Sequence, residues 1–301
     1  MNAITIETIS KSFGSVKALQ AVSFAVMPGE LFGLIGPDGA GKTTLFKILV
    51  TLLLPDSGKA AVSGRDVVQD FRHLRQTIGY MPGKFSLYPD LTVRENLDFF
   101  ATVFGTTIKA NYDLIRDIYE QLAPFSGRRA GKLSGGMKQK LALCCCLIHK
   151  PDVLFLDEPT TGVDAVSRKE FWEMLKNLQK QGITILVSTP YMDEASLCDR
   201  VAFIQAGKIM AVDTPTGITS RFEKPLFSVK AANTYQLIQA LRKAPFADAC
   251  YAFGESVHLT AKPGTEVLSI FDYLHSRNHE DLVIQQITPG IEDTFMELMK
   301  K

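Results

Sequence analysis

Gly36-Pro37-Asp38-Gly39-Ala40-Gly41-Lys42-Thr43 follows the apolar run Leu31–Ile35 and precedes a stretch in which Leu45, Ile48, Leu49 and Leu52 recur at helical spacing. The eight residues satisfy GxxxxGK[ST], and a strand on one side with a helix on the other is the setting that pattern requires. Glycines there let successive backbone N–H groups curl around phosphate oxygens, while the helix N-terminus adds a favourable dipole. Lys42 is then the residue to reach terminal phosphates and Thr43 the hydroxyl to meet Mg²⁺, with Thr44 beside it at the helix start.

Working outward, the run Val153-Leu154-Phe155-Leu156 reads as a fully buried strand and ends in Asp157, a carboxylate placed to hold the same ion through water. Glu158 follows directly. At a strand end successive side chains point to opposite sides, so Glu158 faces where an attacking water would sit and is the candidate general base. Pro159 has no amide hydrogen and stops the strand, and Thr160-Thr161-Gly162 reads as an irregular turn. Leu133-Ser134-Gly135-Gly136-Met137 opens a helix, with Ser134 as N-cap and Gly135 and Gly136 allowing close approach of an anion.

Elsewhere the pattern is α/β. Residues 3–8, 22–26 and 31–35 read as strands separated by Phe13-Gly14-Ser15 and Pro28-Gly29, and a helix is expected over 43–54. Helical periodicity over 94–103, 112–122 and 136–148, with few strand signals between, predicts a helical insertion at about 83–150. A second buried strand at 183–187 is joined to the first by a crossover helix at 166–180. Pro215, Gly217 and Pro225 break the pattern, which predicts a domain of residues 1–222 and a smaller α+β one of 223–301 with the order βαββαβ.

The 301 residues allow about two domains. Hydrophobic residues make up 46% and charged residues 22%, against disorder. Lys and Arg number 33 and Asp and Glu 32, so no net basic field points to nucleic acid or anionic lipid. The longest apolar runs, 48–54 and 141–148, fall far short of the ~20 residues that span a bilayer, so no direct membrane insertion is expected. The first residues lack a basic stretch followed by an apolar core, which predicts no secretory signal. Cys144, Cys145, Cys146, Cys198 and Cys250 are odd in number without CxxC spacing, and the triplet fits core packing. His258, His275 and His279 do not share a helix face at metal-ligand spacing, so the C-terminal domain reads as a regulatory or dimerisation module.

A phosphate loop, a helical insertion, Leu-Ser-Gly-Gly-Met and then a buried strand ending in Asp-Glu resemble, in order and spacing, the ATP-binding subunit of an ATP-binding cassette (ABC) transporter over residues 1 to about 222. The resemblance implies a P-loop NTPase of the ABC ATPase type. The tail, with Gly290-Ile291-Glu292-Asp293-Thr294-Phe295, resembles the C-terminal extension of ABC-2 type exporter subunits often linked to multidrug efflux, and the whole resembles the first half of a bacterial efflux subunit in which two cassettes are fused. It implies ATP and Mg²⁺ as cofactors and a head-to-tail dimer with a second cassette, each ATP lying between one phosphate loop and the other subunit's signature helix. It also implies a separate integral membrane permease that seats the chain on the cytoplasmic face of the inner membrane. Within the resemblance, Phe13 stacks on adenine and Asp164 lies in the loop facing the partner.

Two positions depart from the family pattern. A glutamine normally stands where Tyr80-Met81-Pro82 is followed by Gly83, and a histidine where Ser188-Thr189 is followed by Pro190. Proline offers neither a side-chain donor nor an N–H. These departures keep open a nucleotide-gated structural cassette with little hydrolysis. A non-transport ABC ATPase is a further alternative, although neither a second cassette nor a long coiled coil is present in the chain. Lys84, Phe85 and Tyr88 either dock a permease loop or form a solvated loop around a buried ring.

Overall fold

The computed structural model describes residues 1–300, which divide into two compact units, Met1–Pro215 and Thr216 onward. In the first unit β1 (Ile4–Phe13) and β2 (Val16–Val26) form a long antiparallel hairpin, with Phe13 paired to Val16 at its tip and Ile4 to Val26 at its base. The strands extend well past the short runs legible in the sequence. Bulges break the alternation there: the pairing register shifts between Ile6 and Ile9 and again before Ser12, and Thr8 and Ala21 take positive φ.

After β3 (Leu31–Ile35) comes the glycine-rich loop and α1 (Lys42–Leu49). Helix α1 stops five residues short of the expected end. Thr51 takes φ 65°, and the N–H groups of Leu52 and Leu53 turn back onto the Lys47 carbonyl at 2.7 and 3.0 Å. That is a left-handed C-terminal cap, and it leaves Leu52 59% exposed, while Leu45, Ile48 and Leu49 are fully buried. Each of those three contributes about 1.5–3 kcal/mol of burial.

Next come β4 (Ser57–Val62), β5 (Arg65–Asp66), α2 (Phe71–Thr77) and β6 (Ile78–Met81). A helical segment follows with α3 (Val93–Val103), α4 (Tyr112–Leu122) and α5 (Gly135–Leu147). Thr92 caps α3 in a capping box with Glu95. Then β7 (Val153–Asp157), α6 (Ala165–Lys180), β8 (Thr184–Thr189), the 3₁₀ helix Asp193–Leu197, β9 (Arg200–Gln205) and β10 (Lys208–Asp213) complete the layer.

Two sheets result. One runs β2-β1-β4-β5, and the other runs β10-β9-β3-β8-β7-β6. In the second, β9, β3, β8, β7 and β6 are parallel and β10 is an antiparallel edge. Strands β3, β7 and β8 are buried along their whole length, as parallel strands covered on both faces must be. The crossover order places β8 between β3 and β7. The residues that follow β3, end β7 and end β8 therefore gather at one end of the sheet, where open α/β sheets bind their ligands.

Helix α7 (Pro215–Thr219) leads into the second unit. That unit consists of β11 (Leu226–Lys230), α8 (Thr234–Arg242), β12 (Ala247–Phe253), β13 (Ser256–Ala261), α9 (Val267–His275), β14 (Val283–Gln286) and α10 (Ile291–Leu298). Its antiparallel sheet runs β12-β13-β11-β14. Phe227, Val229, Leu237, Leu241, Leu259 and Ile270 form a core of its own. Its final helix, unread from periodicity, is fixed by Asp293, whose carboxylate accepts from the Gly290 N–H at 2.8 Å and meets His258 Nδ1 at 2.7 Å. Among the described residues no helix is long and apolar enough to cross a membrane.

Candidate functional site

The glycine-rich loop is held by close backbone contacts that only glycine permits at two positions. A Cβ at Gly36 would stand 2.2 Å from the Ile204 carbonyl oxygen, and one at Gly41 would stand 2.4 Å from that of Ala18. Gly41 also takes φ 106° as it caps α1. Strands β9 and β2 thus press on the loop and leave it one path.

Lys42 is buried, at 3% exposure, and its ammonium is met by oxygens on three sides: the Gly36 carbonyl at 2.7 Å, the Pro37 carbonyl at 3.0 Å and Glu158 Oε1 at 3.0 Å. A buried charge needs that set of partners. Glu158 has a positive φ of 50° just beyond β7, and its N–H donates to the Ser188 hydroxyl at 3.0 Å and the Ser188 carbonyl at 3.1 Å. The Ser188 hydroxyl in turn donates to Asp157 Oδ1 at 2.7 Å.

Asp157 is 2% exposed. Burial pushes its carboxyl above the ordinary aspartate range and the neighbouring Glu158 adds to this, while hydrogen bonds from Ser188 and Thr43 and the charge of Lys42 oppose it. The structure therefore brings Thr43, Lys42, Asp157 and Glu158 together. Gly39, Gly41, Lys42, Thr43, Thr44 and Glu158 line a cleft of about 580 Å³ whose other wall is the hairpin segment from Ser15 to Gln20.

The other expected residues stand elsewhere. Phe13 is 51% exposed at the hairpin tip, with Lys11 Nζ 5.8 Å from its ring centroid; Lys11 is anchored by Asp56 at 2.6 Å. Gly36, Pro37, Asp38 and Ala40 form the loop's frame without lining the cleft. Ser134 caps α5 by accepting from the Met137 N–H at 3.3 Å. Gly136 is required by packing, since a Cβ there would meet Ser167 Oγ on α6 at 2.6 Å, whereas a Cβ at Gly135 would touch only the Gly162 carbonyl oxygen at 3.6 Å. Asp164 caps α6 through the Ser167 N–H at 3.0 Å, and that bond holds its carboxyl below the usual range.

Gly83 lies against the end of β7, where a Cβ would stand 3.0 Å from the Asp157 carbonyl oxygen. Tyr191, next after Pro190, lies under the Arg168 guanidinium at 4.2 Å. Phe85 lines a separate apolar cleft of about 290 Å³ with Tyr80, Met81, Leu87, Phe100 and Phe104. Cys144 and Cys145 are buried within α5, and Cys146 lies 3.1 Å from the Tyr80 carbonyl with its thiol pushed up to about 12 by burial.

Sequence reasoning missed Ser188, Thr160, Thr189, Arg168 and Glu194, all tied to the two strand ends. The available signal was a polar Ser-Thr pair closing the apolar run of β8, where a buried strand has no need of hydroxyls.

Residues 19–161 match the family described as ABC transporter. The chain is 39% identical over 302 residues to a probable multidrug ABC transporter ATP-binding protein of Escherichia coli (strain K12). That match takes in 98% of this chain and 52% of that protein, so the chain spans about half the length of that relative. A Nod factor export ATP-binding protein I of Burkholderia pseudomallei (strain K96243) is 40% identical over 258 residues, 84% of each chain. Among solved structures, an ATP binding subunit of an ABC transporter superposes with a TM-score of 0.67 at 26% identity, over 73% of this chain and 93% of that one. Part of an ABC transporter complex from Clostridium perfringens superposes at 0.65 with 24% identity, over 74% and 92%, a likeness of fold alone.

Proposed function

The chain belongs to the ABC transporter family, and from that premise we propose that it is the ATP-binding and hydrolysing motor subunit of an exporter, working through a separate membrane permease on its cytoplasmic face. The carrying observation is the convergence of Lys42, Thr43, Asp157 and Glu158 at the ends of β3 and β7, beside the cleft of about 580 Å³. In this reading Gly36 to Thr44 cradle the phosphates, Phe13 stacks on adenine, and Glu158 orients and deprotonates the attacking water. Ser134, Gly135, Gly136 and Asp164 act on the nucleotide of a second cassette in a head-to-tail dimer, and Gly135, open to solvent, is the amide that an anion approaches.

The residues fit Mg²⁺. Asp157 offers a buried carboxylate already hydrogen-bonded to the Thr43 hydroxyl, an all-oxygen pair suited to an ion that takes its remaining ligands from phosphate and water. Among the described residues no three His, Cys, Asp or Glu gather into a closed metal cage. Bound there, Mg²⁺ would neutralise charge developing on the phosphates.

Calorimetry with ATP at fixed Mg²⁺, followed by ATPase assays with and without the permease, tests this reading, and absence of binding sinks it. The apolar cleft at Phe85 is offered as the permease's seat, because Phe85 stays 37% exposed where it lines that cleft, beside Lys138 over its ring. Residues 223–301 are offered as a separately folding accessory domain, which proteolysis between 214 and 225 would release as a stable fragment.

A second reading is favoured by one specific pair of observations. Gly83 brings no side chain to the Asp157 end of β7, and Pro190 brings no donor to the end of β8. The ATP on this chain's own loop is then hydrolysed slowly, while its intact Leu133-Ser134-Gly135-Gly136-Met137 segment completes a faster site on a different cassette.

A further inference from the structure

Glu194 is 2% exposed, and hydrogen-bond donors from three other segments converge on its carboxylate. The Thr160 hydroxyl donates to Oε1 at 2.8 Å and is shared with Oε2 at 3.2 Å. The Thr189 hydroxyl donates to Oε2 at 2.5 Å, and Arg168 Nε donates to Oε1 at 3.1 Å. Thr160 and Thr189 are themselves fully buried. A buried carboxylate is expensive unless its lone pairs are filled and its charge is answered, and here both conditions are met.

The places that this carboxylate joins are unusual. Thr160 lies two residues beyond Glu158, in the turn that ends at Asp164. Thr189 directly follows Ser188, whose hydroxyl holds Asp157 and the Glu158 N–H. Thr189 also accepts from the Tyr191 N–H at 3.0 Å, which fixes the chain on the far side of Pro190. Arg168 belongs to the first turn of α6, where its N–H closes onto the Asp164 carbonyl at 2.9 Å, and its guanidinium also meets Asp193 at 3.1 Å. One carboxylate therefore joins Thr160 in the turn of residues 158–164, Arg168 on the helix that follows it and the end of β8.

We propose that Glu194 is a positioning residue that makes the turn of residues 158–164 and the end of β8 move as one body, so that a displacement at Asp157 and Glu158 on nucleotide binding is passed to Asp164 and α6. Pro190 brings no donor to this strand end, and there Glu194 acts through Thr189 beside the bonds that Glu158 and Gly36 make to Ser188 and Thr189. A rigid connection of this kind carries motion between two sites because its members have discrete hydrogen-bonded arrangements and do not deform continuously. The inference rests on the ATP-binding reading above.

Trp172 supplies the readout. It is the single tryptophan of the chain, lies one turn along α6 from Arg168, and shares a cleft with Arg168, Asp193 and Glu194. In the full chain, Mg-ATP binding is measured by calorimetry and, separately, by Trp172 emission. The expected wild-type result is an emission change on binding. In Glu194→Ala and Thr160→Val the calorimetric Kd stays within about 3-fold, the emission change falls by about half or more, and kcat drops about 10-fold at unchanged KM. Glu194→Gln keeps an acceptor for Arg168 and Thr160 and recovers most of both. If melting curves show Glu194→Ala to be unfolded, Thr160→Val carries the test, since it removes one hydroxyl at nearly constant volume. An emission change that persists in Thr160→Val and Glu194→Ala, or a loss of affinity parallel to the loss of turnover, overturns the proposal. A wild-type chain that binds no Mg-ATP fails the ATPase reading itself, whereas binding without any Trp172 response fails this inference alone.

Discussion

Lys42 Nζ stands 3.0 Å from Glu158 Oε1, so the cation expected to hold phosphate and the carboxylate expected to activate water are one another's partners. The pair is unequal in exposure, with Lys42 at 3% and Glu158 at 22%. In the proposed reading, phosphate oxygens arriving in the loop would compete with Glu158 for the ammonium and free the carboxylate for water, so that this contact would link nucleotide arrival to the availability of the base.

Lys42→Ala removes the charge opposite the phosphates without touching the apolar core. Mg-ATP affinity is expected to fall by about 10²-fold or more while the circular dichroism spectrum is unchanged. Calorimetry at fixed Mg²⁺ decides, and undiminished affinity refutes the role of the loop.

Glu158→Gln separates binding from chemistry. The amide still reaches Lys42 through its oxygen but no longer carries the charge that retains it, so Mg-ATP is expected to bind as tightly as in the wild type or more tightly. Turnover falls by about 10²-fold or more, the ordinary worth of a general base. A variant that loses affinity with kcat intact contradicts the assignment.

Asp157→Asn predicts a trade of function for stability. Burial raises the carboxyl pKa in the folded chain, so the native state binds more protons than the unfolded one between the two pKa values. Stability therefore falls as pH climbs through that window and stays lower above it, whereas asparagine, always neutral, escapes the loss and still accepts from Ser188. Without nucleotide, the variant is expected to have a higher Tm than the wild type at pH 7. The gap should narrow as pH falls toward the ordinary aspartate value of about 3.9. Calorimetric scans at pH 7 and pH 4 check the sign, and a gap that widens on acidification refutes it. Mg²⁺-dependent nucleotide affinity should drop in the same variant.

Gly83→Gln and Pro190→His restore the residue types normal to the family. If the site is weakened by their absence, the unmodified chain turns over slowly and the double variant gains about 10-fold or more, by analogy with the loss of a single transition-state contact. Pro190→His should account for most of the gain, because a Cβ at position 83 stands 3.0 Å from the Asp157 carbonyl and forces β7 to shift by a few tenths of an ångström. Brisk turnover by the unmodified homodimer, unaffected by either substitution, removes the asymmetric reading.

The phosphate loop, the strand ending in Asp157 and Glu158, and the strand–loop–helix order were legible in the sequence because each depends on residues adjacent in the chain. Glycines are needed where backbone N–H groups must converge, an apolar run marks a strand buried on both faces, and Ser134 announces a cap within three residues of its target. Tertiary structure alone decided the rest. The length of the β1–β2 hairpin depends on cross-strand pairing that half-exposed residues do not advertise, and the early end of α1 depends on Thr51 adopting a left-handed conformation. Nothing local marks Glu194 as the hub for Thr160, Thr189 and Arg168, since those residues are separated by 5 to 34 positions and meet only because β8 lies between β3 and β7. Short-range chemistry is written in neighbouring residues, whereas a buried charge network exists only once the sheet order has brought its members within hydrogen-bond reach.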